Sequence, residues 1–530
     1  MARRGEDAEE IVGEIGRGEV VGESAVLLQV PRSATVRALR DTTLARFELQ
    51  AFEQLLTRHP QLMLMVVRRM VRRIAGERTA FASARSVALI VTADATTSAG
   101  GFTSVSVVDP MVAELQAHGS SMFLSSDRVD AELGRTGIAQ VPSGDISSAR
   151  LDQFLTDLET SREYLLFLAD RQPSEWTRRV LQRADCIVVV ASASPGPEER
   201  RLIESFVDAC AQTRSPRWLV LLHPPATVRP TGTRAFAFRE RFDEVHHLHR
   251  GSSADLERVT RLAMGVGYGL VFGGGGARGF AHLGVLRALR ESGVPVDRIG
   301  GASMGSIFAA AAALIRDPDE LATTCAAQFG GVDAEDMWLP FYCVSTNLTR
   351  SRLEVHRRGN VATAIRASIA IPGVLPPVPF GDDLLVDGGV MNNVPADVMR
   401  ADPSIGTVIA VDVAPKVGPS SATDYGMYLS GWRVLRKMVG RAGAPYPGVA
   451  SVLVRTMITG SEGRRAKIRT DGTADLYLDL DIAGVGLLEF GAFEPVVKQG
   501  YNLSRPRIAQ WLAERDAAVD PSMRPDVTES

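Results

Sequence analysis

Histidine, lysine and cysteine are all scarce in this chain of 530 residues. Its eight histidines leave few candidates for the side chain most often used as a general base, and none follows His356. The lysines are Lys416, Lys437, Lys467 and Lys498, so nearly all positive charge is arginine, a bias that genomic base composition explains without function. Cysteine occurs only at Cys186, Cys210, Cys325 and Cys343, far apart and in apolar runs. That spacing excludes a disulfide framework or a clustered metal site and suits a reducing, cytoplasmic compartment. Charge of one sign is also missing: 59 basic residues face 62 acidic ones, a net charge of -3. The strong basic field that favours nucleic acid is absent, and no nucleic-acid partner is expected. The longest apolar runs, such as Ile307 to Ile315, reach about half of the roughly 20 residues needed to cross a bilayer. Any membrane contact is therefore expected to be peripheral. The opening MARRGEDAEE turns acidic where a secretory signal needs its apolar stretch, so no signal peptide is expected.

What is present is a globular composition, 45% hydrophobic and 23% charged, long enough for three or four domains of about 150 residues. Residues 11 to 48 alternate apolar and polar positions with Gly and Pro punctuation, and a helical pattern follows from about Ala45 to Ile74. Within this stretch Gly22-Glu23 and Pro31-Arg32-Ser33-Ala34-Thr35-Val36 resemble the phosphate-binding cassette of cyclic-nucleotide-binding domains. The resemblance implies Glu23 on a ribose hydroxyl and Arg32 on a cyclic phosphate, for which a guanidinium fork is suited. Only about twenty residues precede the cassette, so a truncated β-roll is expected, a structural remnant to which cyclic nucleotides do not bind. Arg68, Arg69, Arg72 and Arg73 follow an apolar run; a solvated terminal helix is favoured over a basic membrane contact.

From Val87 onward, VALIV, YLLFLAD (Tyr164 to Asp170), CIVVVA (Cys186 to Ala191) and WLVLLH (Trp218 to His223) alternate with helical stretches, the signature of a parallel α/β sheet. Glycine-rich phosphate-loop spacing is absent from this part. His246, His247 and His249 lack a further ligand at helical spacing and read as a surface strand edge, not as a metal site.

Chemistry concentrates further on. A strand, Tyr268 to Phe272, runs through Gly273-Gly274-Gly275-Gly276-Ala277-Arg278-Gly279 into a helix, presenting free N–H groups and a positive dipole end: an anion site. Gly274, Gly276 and Gly279 also match a dinucleotide GxGxxG with Asp297 about twenty residues on, but that motif alone is weak. Next comes Gly301-Ala302-Ser303-Met304-Gly305, a GxSxG whose glycines permit the tight strand-to-helix turn that lifts a serine hydroxyl toward substrate. It occupies the stretch where a dehydrogenase would place its second strand and ribose-reading acid, which disfavours that reading.

Ser303 needs a base. The hydrolase order of Ser, acid, His would require His356 with Asp333, Glu335, Asp336 or Glu354, none in a strong motif. In contrast, Leu384-Leu385-Val386-Asp387-Gly388-Gly389 puts an acid at the end of an apolar strand, with glycines that allow close approach. Asp387 is the better partner. A carboxylate with an ordinary pKa near 4 is a weak base, so a buried, hydrogen-bonded site is required.

GGGGARG, GASMG and DGG in this order, with RASIAIPGVLPPV and NNVPADV around the last, resemble the patatin-like phospholipase family, above all its branch similar to neuropathy target esterase. The resemblance covers most of residues 11 to 515. It implies an α/β fold: a patatin-like catalytic domain with a parallel-rich central sheet at 267-515, an α/β linker domain at 86-266, a truncated β-roll plus helix at 1-85, and a disordered tail at 516-530. It further implies a Ser303–Asp387 dyad without histidine, no cofactor or metal, and an oxyanion hole from Gly274, Gly275 and Gly276 with Arg278 nearby. For Arg278 a substrate-phosphate role and a structural clamp stay open. The substrate implied is a phospholipid or lysophospholipid, met from the cytoplasmic side. The apolar, proline-rich Pro372 to Phe380 is expected to form no regular element, either rimming the site or packing on the core. Asp475 to Phe490 reads as a strand and turn, and Glu494 to Arg515 as a closing helix. The segment near Phe329-Gly330 is shorter than in the family, which bears on the acyl pocket. The competing expectation is a regulatory nucleotide-binding protein with a degenerate patatin-like part.

Overall fold

The computed structural model describes residues 85–93, 104–142, 145, 147–213, 215–236, 238–315, 329–415, 431–432, 449–486 and 489–519, and nearer the N-terminus 2–4, 9–11, 21–22, 25, 31, 35–36 and 46–58. Glu23, Arg32, the four arginines after Leu62, residues 316–328 beside Phe329 and the tail from 520 lie outside the described residues. Contacts divide the chain into two units, Met1–Leu222 with Ala237–Val245, and His223–Phe236 with His246–Ser530.

In the first unit β1 (Ala2–Arg4) pairs antiparallel with β2 (Glu9–Ile11), and the helix Leu49–Arg58 follows. Its main body is a parallel sheet of β3 (Arg85–Val91), β4 (Ser121–Leu124), β5 (Tyr164–Leu168), β6 (Cys186–Ser192) and β7 (Arg217–His223), in the order β4-β5-β3-β6-β7. A further edge strand, β8 (Glu244–His249), begins in the first unit and ends in the second. Every side chain from Ser86 to Ile90 is buried, as parallel strands covered by helices on both faces require. The intervening helices start where the sequence supplies caps: Ser125 and Ser174 each accept a hydrogen bond from the backbone N–H three residues on.

The second unit holds a mixed sheet. Its strands are β9 (Gly267–Phe272), β10 (Arg298–Ala302), β11 (Phe341–Asn347), β12 (Arg352–His356), β13 (Val378–Phe380), β14 (Asp383–Asp387), β15 (Ile405–Asp412) and β16 (Leu476–Asp479). The order is β13-β14-β11-β10-β9-β15-β16, with β12 also on β11. Strands β11, β10, β9, β15 and β16 are parallel; β12 and β14 run against β11, and β13 runs against β14. The helices Ala281–Glu291, Met304–Ile315 and Phe493–Val519 cover the core, the last running past the sequence-expected end at Arg515 into the stretch read as tail. Among the described residues no helix is long and apolar enough to cross a membrane.

Two readings need correction. His246 and His247 are buried rather than on the surface. His247 donates from Nε2 to the Glu335 carbonyl (2.7 Å) and accepts at Nδ1 from His223 (2.9 Å), while His249 stacks on Trp338. Burial drives the pKa of His223 to about 4 and of His247 to about 3, so both are neutral packing groups. The run Pro372 to Phe380 does contain a regular element: Val378–Phe380 is an edge strand, where proline is tolerated because one side needs no ladder donor. Asp297 is buried under a bidentate ion pair from Arg261 (2.9 and 2.7 Å) and takes the Tyr268 N–H as well, which leaves it no ribose to read. Asp297→Asn is expected to cost about 3 kcal/mol of stability by stripping a buried guanidinium of its counter-charge. Chemical denaturation measures this, and a change within experimental error would refute a stabilising role for the pair.

Candidate active site

Strand β11 has two edges, and its pairing explains how distant motifs meet. Along one edge lies β12. Along the other, β10 pairs as far as Ala302↔Val344, and β14 takes over at Asp387↔Ser345. The end of β10 therefore abuts the end of β14, so the residue after Ala302 arrives beside Asp387. That residue is Ser303.

Ser303 sits at φ 52, a left-handed conformation rare for a residue with a side chain. The turn is held from several directions. The Ser368 hydroxyl accepts the Ser303 N–H (3.0 Å), and Ser306 donates from its backbone (2.9 Å) and hydroxyl (2.6 Å) to the Ser303 carbonyl. A Cβ on Gly305 would stand 2.3 Å from the Phe272 carbonyl oxygen, so only glycine lets the helix Met304–Ile315 start this close to β9.

Asp387 is fully buried. Its N–H donates to the Ala370 carbonyl (2.9 Å), its carbonyl accepts from Thr346 Oγ1 (3.0 Å), and Oδ1 accepts the Gly389 N–H (2.7 Å). Oδ2 is buried and forms no hydrogen bond of good geometry among the described residues. Burial lifts the carboxyl pKa to about 7, against the opposing pull of the Ser303 hydroxyl and the Gly389 N–H. The site thus holds a buried carboxylate beside the Ser303 hydroxyl, with a pKa raised into the useful range for proton transfer.

The glycine loop completes the site. The N–H groups of Gly275 and Gly276 donate to no protein acceptor among the described residues, and Gly276 has φ 57. Gly274 behaves differently: its N–H is taken by the Asn393 carbonyl (3.1 Å), and its own carbonyl accepts from Asn393 Nδ2 (3.1 Å). Its part is spatial, since a Cβ there would meet Ser303 Cβ at 2.8 Å. Beneath the loop His282 donates from Nε2 to the Gly273 carbonyl (2.9 Å) and stacks on Phe272; burial keeps it neutral, with a pKa of about 4. The Arg278 side chain is half-buried, has no hydrogen-bond or ion-pair partner among the described residues, and lines a cleft of about 200 Å³ with Asp481.

Gly279 packs on Met304, and Gly388 sits against the Val344 carbonyl, so the flanking motif glycines serve close packing. His356 is committed elsewhere, since its Nε2 meets the Ser345 hydroxyl (2.7 Å) and burial lowers its pKa. The four alternative acids also have other partners: Asp333 pairs with Arg234, Glu335 with the Gly359 N–H, Asp336 with the Thr233 N–H and Glu354 with Arg352. Ser368 and Asn393, the supports of the elbow and the glycine loop, are the site residues that sequence reasoning missed. They lie inside RASIAIPG and NNVPADV, segments that carried resemblance but no assigned roles.

Known proteins match over most of the chain. Residues 1–59 match the cyclic nucleotide-binding domain, residues 101–262 the Neuropathy Target Esterase family P-loop like domain, and residues 270–340 and 317–400 patatin-like phospholipase. Patatin-like phospholipase domain-containing protein 6 of Pongo abelii is 30% identical over 96% of this chain and 42% of its own length. The Homo sapiens protein of the same name is 29% identical with the same coverage. Lysophospholipase nte1 of Aspergillus fumigatus is 28% identical over 95% of this chain and 39% of its own. The chain thus spans about two fifths of the length of these curated relatives. With three domain matches in one order and relatives similar over 96% of this chain, the chain is similar to the patatin-like phospholipases of the neuropathy target esterase branch and carries the patatin-like phospholipase domain match at 270–400.

Proposed function

We propose that this protein is a serine acyl hydrolase of the lysophospholipase or phospholipase type, with Ser303 as nucleophile and Asp387 as its base. The observation that carries the reading is the abutment of β10 and β14 on β11, with a strained serine beside a buried carboxylate.

Asp387 takes the Ser303 proton as Oγ adds to the ester carbonyl, and the Gly275 and Gly276 N–H groups hold the oxyanion. The bond to the leaving alcohol then breaks, and the alkoxide recovers the proton from Asp387. Water, activated by the same carboxylate, attacks the acyl-serine; the fatty acid leaves and the serine regains its proton. Ester and water are consumed, acid and alcohol formed, and one proton shuttles between Asp387 and oxygen throughout. Residues 1-85 and 86-266 are proposed as accessory domains and 267-515 as the catalytic one, acting on lipid from the cytoplasmic side.

A fluorophosphonate probe tests the reading. The expected result is one covalent adduct per chain, located on Ser303 by peptide mass spectrometry. A chain that takes no label would overturn it and favour the regulatory alternative, which titration with cyclic AMP and cyclic GMP would then probe.

A further inference from the structure

The helix Val449–Gly460 takes no part in the chemistry above, yet it reaches the turn that holds the base. A Cβ on Gly389 would stand 3.5 Å from the Met457 terminal methyl, and the Gly389 N–H is the donor to Asp387 Oδ1. Met457 and Ile371 both pack on Ala414, and Ile371 follows Ala370, whose carbonyl takes the Asp387 N–H. Arg455 ties the helix down further, donating from Nη1 to the Pro415 carbonyl (3.0 Å). The helix and the turn after Ile371 therefore both border the base.

Each of these two elements turns apolar side chains outward. On the helix Val452 and Leu453 are 45% and 42% exposed, and Leu453 lies one turn, about 6 Å, from Met457 on the same face. After Ile371, Val374 and Leu375 are 40% and 43% exposed, in a turn where both N–H groups donate to the Ile371 carbonyl (3.0 and 2.9 Å). Single exposed apolar side chains are ordinary, but four gathered around one reaction centre mark a contact surface.

Charge says which partner fits. Residues 425–461 contain five arginines and lysines and no Asp or Glu. The next helix, Glu462–Thr470, carries four cations against Glu462 alone. Its Arg465 is buried on Asp412 (3.0 Å), which fixes the helix to the sheet with Arg464 and Lys467 exposed. An apolar face beside a surplus of arginine and lysine is the pattern of a segment that lies in the interface of an anionic bilayer. A second copy of the chain would set this positive surplus against itself.

We propose that the helix Val449–Gly460, with the Val374–Leu375 turn, is the face by which this protein lies on an anionic lipid bilayer, bringing the dyad to the lipid. The surface rests on the ester-hydrolase reading for its kinetic arm only. In the binding arm, Ser303→Ala protein is expected to sediment more strongly with mixed phosphatidylglycerol and phosphatidylcholine vesicles than with phosphatidylcholine alone, and less so in high salt. Val452→Ser with Leu453→Ser should weaken that partition about tenfold or more, as two apolar side chains lose their place in the interface. Val374→Ser with Leu375→Ser should do the same from a separate element, with thermal melts confirming that both variants fold. Partition unchanged in both variants, or equal on neutral and anionic vesicles, overturns the proposal. So does a dimer that either variant splits, which would assign the face to a second copy.

In the kinetic arm, the active protein with Val452→Ser and Leu453→Ser is expected to lose about tenfold in kcat/KM on lysophospholipid held in anionic vesicles and to keep its rate on dissolved p-nitrophenyl butyrate. Equal losses on both substrates would make the helix part of the packing around Asp387 and overturn the docking role. Should the wild type hydrolyse neither ester while vesicle binding persists, the hydrolase reading fails and the bilayer face stands.

Discussion

Ser303→Ala is expected to lower turnover of lysophospholipid by roughly 10⁴-fold or more and to abolish fluorophosphonate labelling, with little change in the fold. Removing one member of a nucleophile-base unit eliminates the covalent route and leaves only the catalysis that binding and oxyanion contacts provide. The substitution is clean because alanine keeps the Cβ and hence the same left-handed strain at φ 52. The Ser303 N–H bond to Ser368 and the carbonyl bonds from Ser306 do not involve the hydroxyl. Ser303→Gly separates strain from chemistry: glycine adopts φ 52 at no steric cost, so this inactive variant should be about 1 kcal/mol more stable than Ser303→Ala. Steady-state kinetics and thermal melts of the pair check both statements. A Ser303→Ala protein with a tenth of the wild-type rate would remove Ser303 from the mechanism.

Much of this site was legible because its parts are local. The strand entering Ser303, the glycines around it and the helix beyond it are consecutive, and a GxSxG records the close approach of Gly305 to β9 directly. Asp387 stood out as an acid between an apolar strand and two glycines, and the histidine count left no competitor of equal quality. What was not legible depends on partners distant in sequence. No local pattern says that β14 shares an edge of β11 with β10, which is the fact that joins position 303 to position 387. Nor does the glycine run reveal that the Gly274 N–H goes to Asn393, 119 residues away, leaving Gly275 and Gly276 as the donors without an acceptor among the described residues. The burial of His247 was missed for a similar reason: polar composition suggested solvent, but Trp338 and the Glu335 carbonyl, far along the chain, provide packing and an acceptor.

Asp387→Asn is expected to reduce turnover by roughly 10⁴-fold while raising stability at alkaline pH, because the carboxylate is kept at an energetic cost. The amide oxygen retains the Gly389 N–H bond, so the turn survives, but asparagine has no lone pair basic enough to take the Ser303 proton. The pKa of about 7 sets the wild-type profile. Only the ionised form is a base, so kcat/KM should rise about tenfold per pH unit below 7 and level off above it. The stability consequence runs the opposite way. The unfolded chain loses this proton near pH 4 and the folded one near 7, so the native state binds the extra proton between those values and stability falls as pH rises across the window. Fully above pH 7 the cost reaches up to about 4 kcal/mol, whereas a buried amide with unmet donors costs about 1–3 kcal/mol at every pH. Asp387→Asn should therefore gain about 1–3 kcal/mol on the wild type at about pH 8 and lose that advantage by about pH 4, as denaturant titrations at the two pH values will read. Equal stability offsets at both pH values would mean that Asp387 does not titrate in this window. The rise in kcat/KM would then need a different base, and the dyad reading would fall with it.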